Sequence, residues 1–211
     1  PAGSGSAQVE IPVKNVTAGT VAILVKADGT EEVIKTSLTT QNGVAVTLSD
    51  GDTVKIVDNS KDFADVPASY WGADAVTFAV SRELFTGTGD GTFSPDTAMS
   101  RGMIVTVLAR FEGVDTSAGE NWYDAGAAWA VEQGISDGTN LDQSLTREQL
   151  ATMLYRYAGS PAAGSPLSGY PDTASVSGYA ADAMAWAVED GLIGGTRAGT
   201  LDPPGQATRV A

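Results

Sequence analysis

The chain repeats one pattern three times, and this repetition governs every further reading of its 211 residues. In each copy an aromatic residue is followed seven positions later by a second, then by Ala-Val and, further on, by Gly-Thr. The first copy has Trp71, Phe78, Ala79-Val80 and Gly87-Thr88. The second has Trp122, Trp129, Ala130-Val131 and Gly138-Thr139, and the third Tyr179, Trp186, Ala187-Val188 and Gly195-Thr196. Each copy continues with an apolar residue (Phe93, Leu141, Leu201) and a hydroxyl-Arg pair, Ser100-Arg101, Thr146-Arg147 or Thr208-Arg209. First aromatic and Arg are 30 residues apart in copies one and three and 25 apart in copy two, which lacks the Asp-Gly-containing part of the loop.

Within a unit the spacing predicts two helices and a glycine-rich loop. From Trp71 to Glu83, Ala75, Phe78, Ala79 and Arg82 fall at helical spacing, which predicts a first helix with a small apolar face. The second ring of each copy (Phe78, Trp129, Trp186) is expected in the core. A second helix is expected to open at Ser100 and at Thr146, hydroxyl residues suited to an N-cap, and Thr146-Arg-Glu-Gln149 fits a capping box. Its apolar stripe is Ile104, Val107, Leu108 and Phe111 in copy one, and Leu150, Met153, Leu154 and Tyr157 in copy two. Gly113 and Gly159 stand where such helices would end.

Ahead of the repeats the chain has a different character. All five lysines lie before residue 62 and all seven arginines after it, so a seam falls near Ser60. Val21–Val25, Val33-Ile34, Val44–Leu48 and Thr53–Val57 are β-branched runs separated by the turn dipeptides Asp28-Gly29, Asn42-Gly43 and Asp50-Gly51. Four or five short antiparallel strands are expected over residues 9 to 58, with no cluster of chemically active side chains.

Composition excludes several kinds of chemistry. There is no Cys and no His, so no disulfide framework, thiol catalyst, Ser-His-Asp hydrolase or His-ligated metal site can be built. A formal charge of −14 argues against a nucleic-acid partner, whose phosphates call for surplus cations. No run of about 18 apolar residues exists to insert into a membrane. The start, Pro1 to Ala7, lacks the basic and apolar regions of a secretory leader, so the sequence reads as a fragment or as a chain whose leader has been removed.

The repeats resemble those of the S-layer homology family, whose pattern is Phe-x-Asp-Val-Pro, Trp-Ala, a helix, Gly-Ile-x-x-Gly, a glycine-rich loop with Phe-x-Pro, and Thr-Arg-Ala-Glu. Copy one has Phe63-Ala-Asp65-Val66-Pro67, Tyr70-Trp71, Gly91-Thr-Phe93-Ser-Pro95 and Ser100-Arg101-Gly102. Copy two has Trp122-Tyr123, Gly134-Ile135-Ser-Asp-Gly138 and Thr146-Arg147-Glu148-Gln149. Copy three has Tyr170-Pro-Asp172, Gly191-Leu-Ile-Gly-Gly195, Leu201-Asp-Pro203 and Thr208-Arg209. The resemblance implies an α+β chain: a small antiparallel β module followed by a mainly helical triple repeat, pseudo-threefold about a central helix bundle. The corresponding divisions are a linker or remnant at 1–8, the β module at 9–60, and repeats at 61–116, 117–161 (shortened loop) and 167–211 (lacking its final helix).

It also implies a non-catalytic module that anchors a protein outside a bacterial cell. The ligand would be an anionic secondary cell-wall polysaccharide, in this family often pyruvylated, held in grooves between adjacent repeats with the Arg of the Thr-Arg pair on the acidic group. A peptidoglycan-linked glycan is the implied partner, with no nucleic acid, no membrane insertion and room for self-association within a surface layer. Apart from the resemblance, an Arg in the first turn of a helix joins the free N–H groups and positive dipole end to a guanidinium fork, which suits a carboxylate. Trp71 and Trp122 could stack on a sugar face, and loop glycines let a backbone approach closely. The candidate glycan-contacting residues are therefore Arg101, Arg147, Arg209, Trp71, Trp122, Tyr179, Gly87, Thr88, Gly138, Thr139, Gly195 and Thr196, with no catalytic residue, metal ligand or cofactor expected.

Two alternatives belong to other classes. Asp90-Gly91 and Asp137-Gly138 resemble fragments of calcium loops and would suit a calcium-dependent surface module without glycan binding, although the oxygen spacing of an EF-hand is missing. An acid/base glycosidase would need a carboxylate pair, and no pair among the 26 acidic residues is singled out.

Overall fold

A computed structural model describes residues 5–164 and 167–210. The chain is α+β, with antiparallel strands first and five helices after them. It divides into two compact units, one ending at Pro95 and taking in Val210, the other Asp96–Arg209.

The first unit begins with six strands, β1 (Ser6–Pro12), β2 (Thr20–Val25), β3 (Glu31–Val33), β4 (Leu38–Thr39), β5 (Gly43–Ser49) and β6 (Thr53–Asp58). They form two three-stranded antiparallel sheets, ordered β1-β5-β4 and β3-β2-β6. The four apolar runs are β2, β3, β5 and β6, while β1 and the two-residue β4 add two strands that apolar patterning does not mark. β2 is an unbroken apolar run because both its faces are covered. Ala22 packs with Val44 and Val46, whereas Val21 and Ile23 pack with Val33 and Val57.

Next comes α1 (Ala73–Ser81), whose buried face is Val76 and Val80, packed with Phe93, Val210, Phe63 and Phe85. This is one residue round from the expected face, and Ala75 is exposed. The shift follows from Arg82, which leaves the helix end for the β module. Its Nε donates to Ser37 O (2.7 Å), Nη1 to Ala18 O and Phe78 O, and Nη2 to Thr20 O. Phe78 is only half-buried, and its ring lies 3.6 Å from the guanidinium carbon. Burial pushes Arg82 down to about 10, so it remains a cation at neutral pH, solvated by carbonyls and a ring face.

The second unit holds α2 (Arg101–Phe111), α3 (Asp124–Glu132), α4 (Arg147–Tyr157) and α5 (Ala181–Glu189). Ser100 caps α2 by accepting from the Met103 N–H, and Thr146 and Gln149 form the expected reciprocal capping box on α4. Gly113 and Gly159 follow the helix ends at φ +76° and +82°, a conformation that glycine adopts without strain. α2 and α4 are buried beyond a single stripe: Val105 and Ala109 join Ile104 and Leu108, and Ala151 and Thr152 join Leu150 and Met153. Neighbours on more than one side account for this. One is α3, whose Gly126 lies so close to α2 that a Cβ would stand 2.9 Å from Thr106 Cα.

The segments leading into the hydroxyl-Arg pairs meet in a closed ring of backbone hydrogen bonds. Met99 N–H donates to Ala207 O (2.8 Å), Ala207 N–H to Leu145 O (2.9 Å) and Leu145 N–H to Met99 O (2.8 Å). All three residues are buried. Two residues on, a second exchange runs in the opposite sense: Arg101 N–H donates to Gln143 O, Arg147 N–H to Gly205 O and Arg209 N–H to Thr97 O. Each copy thus donates to the corresponding segment of another in a cyclic exchange.

Candidate functional site

The hydroxyl-Arg pairs are placed by their backbone. Ser100 and Thr146 are extended (ψ 162°) and the helix starts at the following Arg, so each arginine leaves the chain where helical N–H groups are unpaired. Its side chain then crosses to the loop of the next copy. Arg101 Nε donates to Thr139 O (3.0 Å), and Nη2 to Asp137 Oδ1 (2.9 Å) and Ser136 Oγ (3.2 Å). Arg147 Nε donates to Leu201 O and Nη2 to Gly194 O, both at 2.8 Å.

The electrostatics of the two differ. Arg101 is neutralised by Asp137, whose carboxyl is held below the usual range by the Thr139 N–H and hydroxyl and further by Arg101. Arg147 hydrogen-bonds only carbonyl oxygens and makes no direct ion pair among the described residues, although its charge helps to lower the nearby Asp172 carboxyl. A guanidinium and a helix N-terminus there place positive charge together, which favours an anion.

The Gly-Thr pair of each copy lies where its loop closes. In copies one and three, Thr88 N–H donates to Thr92 O and Thr196 N–H to Thr200 O, with the paired hydroxyls 3.0 and 2.8 Å apart. Gly87 and Gly195 have no room for a Cβ, which would stand 2.8 Å from Phe63 Cε1 and 2.9 Å from Tyr170 Cε1. The shortened loop of copy two closes differently: Asp137 Oδ1 accepts from the Thr139 N–H and hydroxyl, and Gly138 takes φ +72°.

The first aromatics are on the surface. Trp71 is 69% exposed against Tyr70, Trp122 52% exposed against Tyr123, and Tyr179 59% exposed. The Tyr179 hydroxyl donates to Glu148 Oε1 (3.2 Å), which ties it to the residue after Arg147. Partial burial pushes this phenol up, and the Glu148 carboxylate adds to the shift. The structure therefore assembles Arg101 with Gly138-Thr139, and Arg147 with the Gly194-Gly195 segment and, through Glu148, Tyr179. It shows no ring or hydrogen-bond contact of Trp122 with Arg101 among the described residues. Trp71, Gly87 and Thr88 belong to the other unit, and Arg209 lies in a turn.

Three carboxylates escaped the sequence reading of the site. Asp65 accepts from the Phe93 and Ser94 N–H groups, and Asp172 from those of Leu201 and Asp202. Ser94 and Asp202 are left-handed (φ +58° and +49°), so these carboxylates hold loop backbone that would otherwise be strained. Their signal was recurrence two residues after Phe63 and Tyr170. Buried Glu148, bonded to the Ser177 N–H and hydroxyl as well as Tyr179, had only its place in the capping box. Among the described residues no three acidic side chains gather as metal ligands, and no helix is long and apolar enough to cross a membrane.

The family model for the S-layer homology domain matches residues 62–102 and again 169–209. An endoglucanase of Bacillus sp. (strain KSM-635) is 28% identical over 180 residues, covering 78% of this chain and 19% of the enzyme. An S-layer protein of Bacillus thuringiensis subsp. finitimus is 25% identical over 71% of this chain and 20% of its own length. The S-layer protein sap of Bacillus anthracis is 27% identical over 44% of this chain and 13% of its own length. The chain thus spans a fifth or less of these curated relatives.

Proposed function

We propose that this chain is a non-catalytic anchoring module that holds a longer protein to the outside of a bacterial cell by binding an anionic secondary cell-wall polysaccharide. The observation that carries the reading is Arg147, oriented by two carbonyls at a helix N-terminus and in no direct ion pair among the described residues. Such a group presents a fork to a carboxylate such as a pyruvyl acid. The relatives add support: an endoglucanase and S-layer proteins differ in what their names say they do, yet share a stretch resembling this one. Attachment is a role both kinds of protein can use.

In this reading the middle copy is a third, divergent repeat, and the ring through Met99, Leu145 and Ala207 marks a pseudo-threefold axis. Acidic groups of the glycan meet Arg147, Arg101 and Arg209. Tyr179, Trp122 and Trp71 stack on sugar faces, and Gly87-Thr88, Gly138-Thr139 and Gly195-Thr196 form the groove walls.

The test is co-sedimentation with purified cell-wall polymer before and after chemical removal of its acidic substituents. Binding should be lost on removal and in an Arg101→Ala/Arg147→Ala double variant that keeps the wild-type circular dichroism spectrum. Equal binding to both preparations would sink the carboxylate mechanism.

A further inference from the structure

At the opposite ends of α2 and α4 from the arginines lies a separate cleft of about 480 Å³, within the size range of small-ligand sites. Each of these 11-residue helices is about 16 Å long, so the cleft and the arginine sites are well apart. Its walls come from three helix ends: Glu112 after α2, Trp129 and Gln133 from the end of α3, and Arg156 and Tyr157 from the end of α4, with Ile135 beneath. The Trp129 and Tyr157 rings meet at 58°, centroids 6.4 Å apart, and form an aromatic corner.

The cleft traces to one difference between copies. In copy three the equivalent indole, Trp186, is covered by Tyr155, with ring centroids 5.7 Å apart. Tyr155 stands eight residues after Arg147, and eight residues after Arg101 stands Ala109. α2 therefore offers no ring to Trp129, which is half-buried and lines the cleft.

The polar groups around this corner suit hydroxyls. Tyr157 is engaged by donating to Glu112, and Arg156 Nη1 reaches Ile135 O (3.4 Å). Among the described residues, the Trp129 indole N–H, the Gln133 carboxamide and the remaining Arg156 N–H groups have no hydrogen-bond partner. One carboxylate and one guanidinium balance, so the site favours no net charge. An aromatic corner packs against the C–H face of a ring, while planar amide, carboxylate and guanidinium groups pair with hydroxyls. We propose that this cleft is a second carbohydrate subsite, one that takes a neutral pyranose ring, where the arginine grooves take an acidic one.

The experiment follows the indole N–H cross-peaks of the four tryptophans by NMR while chitotriose, cellotriose and maltotriose are added in turn. A Trp129→Phe variant identifies the Trp129 peak. At least one trisaccharide should move that peak saturably, and the shift should persist in the Arg101→Ala/Arg147→Ala variant, which separates this site from cell-wall anchoring. Gln133→Ala with Arg156→Ala should weaken the response at least about fivefold while leaving polymer co-sedimentation intact. No movement of the Trp129 peak at trisaccharide concentrations on the order of 10 mM would overturn the proposal, as would loss of the shift with the arginines or indifference to Gln133→Ala/Arg156→Ala.

Discussion

Asp172 shows what a single side chain contributes. Its carboxylate accepts two backbone N–H groups from a residue pair 29 and 30 positions away, and the Leu201 N–H foremost holds its carboxyl below the usual range. A carboxyl whose folded value is depressed gives stability that is present above the unfolded value, about 4, and is lost as pH falls through the folded value. Melting temperature is therefore expected to fall as pH drops below about 4, and Asp172→Asn should lose part of that slope while melting lower at pH 7. An unchanged slope in scanning calorimetry would remove Asp172 from this role. The position was visible in the sequence, since Asp65 and Asp172 recur in the same motif. Its task was not, because it depends on which distant N–H groups the fold brings near.

Among the elements, α1 shows how a period can be right and a face wrong. Ala75, Phe78, Ala79 and Arg82 do fall at helical spacing, yet burial goes to Val76 and Val80. A charged residue counted on an apolar face turned out to be buried in another direction, against β-module carbonyls. Arg82→Met should leave those carbonyls buried without a donor and cost about 3 kcal/mol, read as a lower denaturation midpoint. Arg82→Lys should recover only part, because an ammonium cannot span the same acceptors with a planar fork. Full stability in Arg82→Met would show that the β module is held by apolar packing alone. Capping boxes and glycine stops were legible because their chemistry is local, as were the strands with apolar runs. β1 was not: its one sheet neighbour is β5 and six of its seven residues are exposed, so no alternation marked it.

Across the whole molecule, the recurring pattern is plain in the sequence, and in the proposed reading the hydroxyl-Arg pairs are where the glycan is met. What the sequence could not show is that equivalent arginines end in unequal settings. The second copy carries Asp137 where the third has Gly194, so Arg101 meets a carboxylate while Arg147 hydrogen-bonds only carbonyls. In the proposed reading the −14 charge is no obstacle, since binding would rest on one or two short-range contacts against a background screened within roughly 8–10 Å. The most direct measurement is calorimetric titration of the acidic cell-wall polymer into the wild type, Arg101→Ala and Arg147→Ala. Arg147→Ala is expected to lose at least tenfold in affinity, about 1.4 kcal/mol, and Arg101→Ala clearly less. Equal affinity in all three proteins would contradict the account.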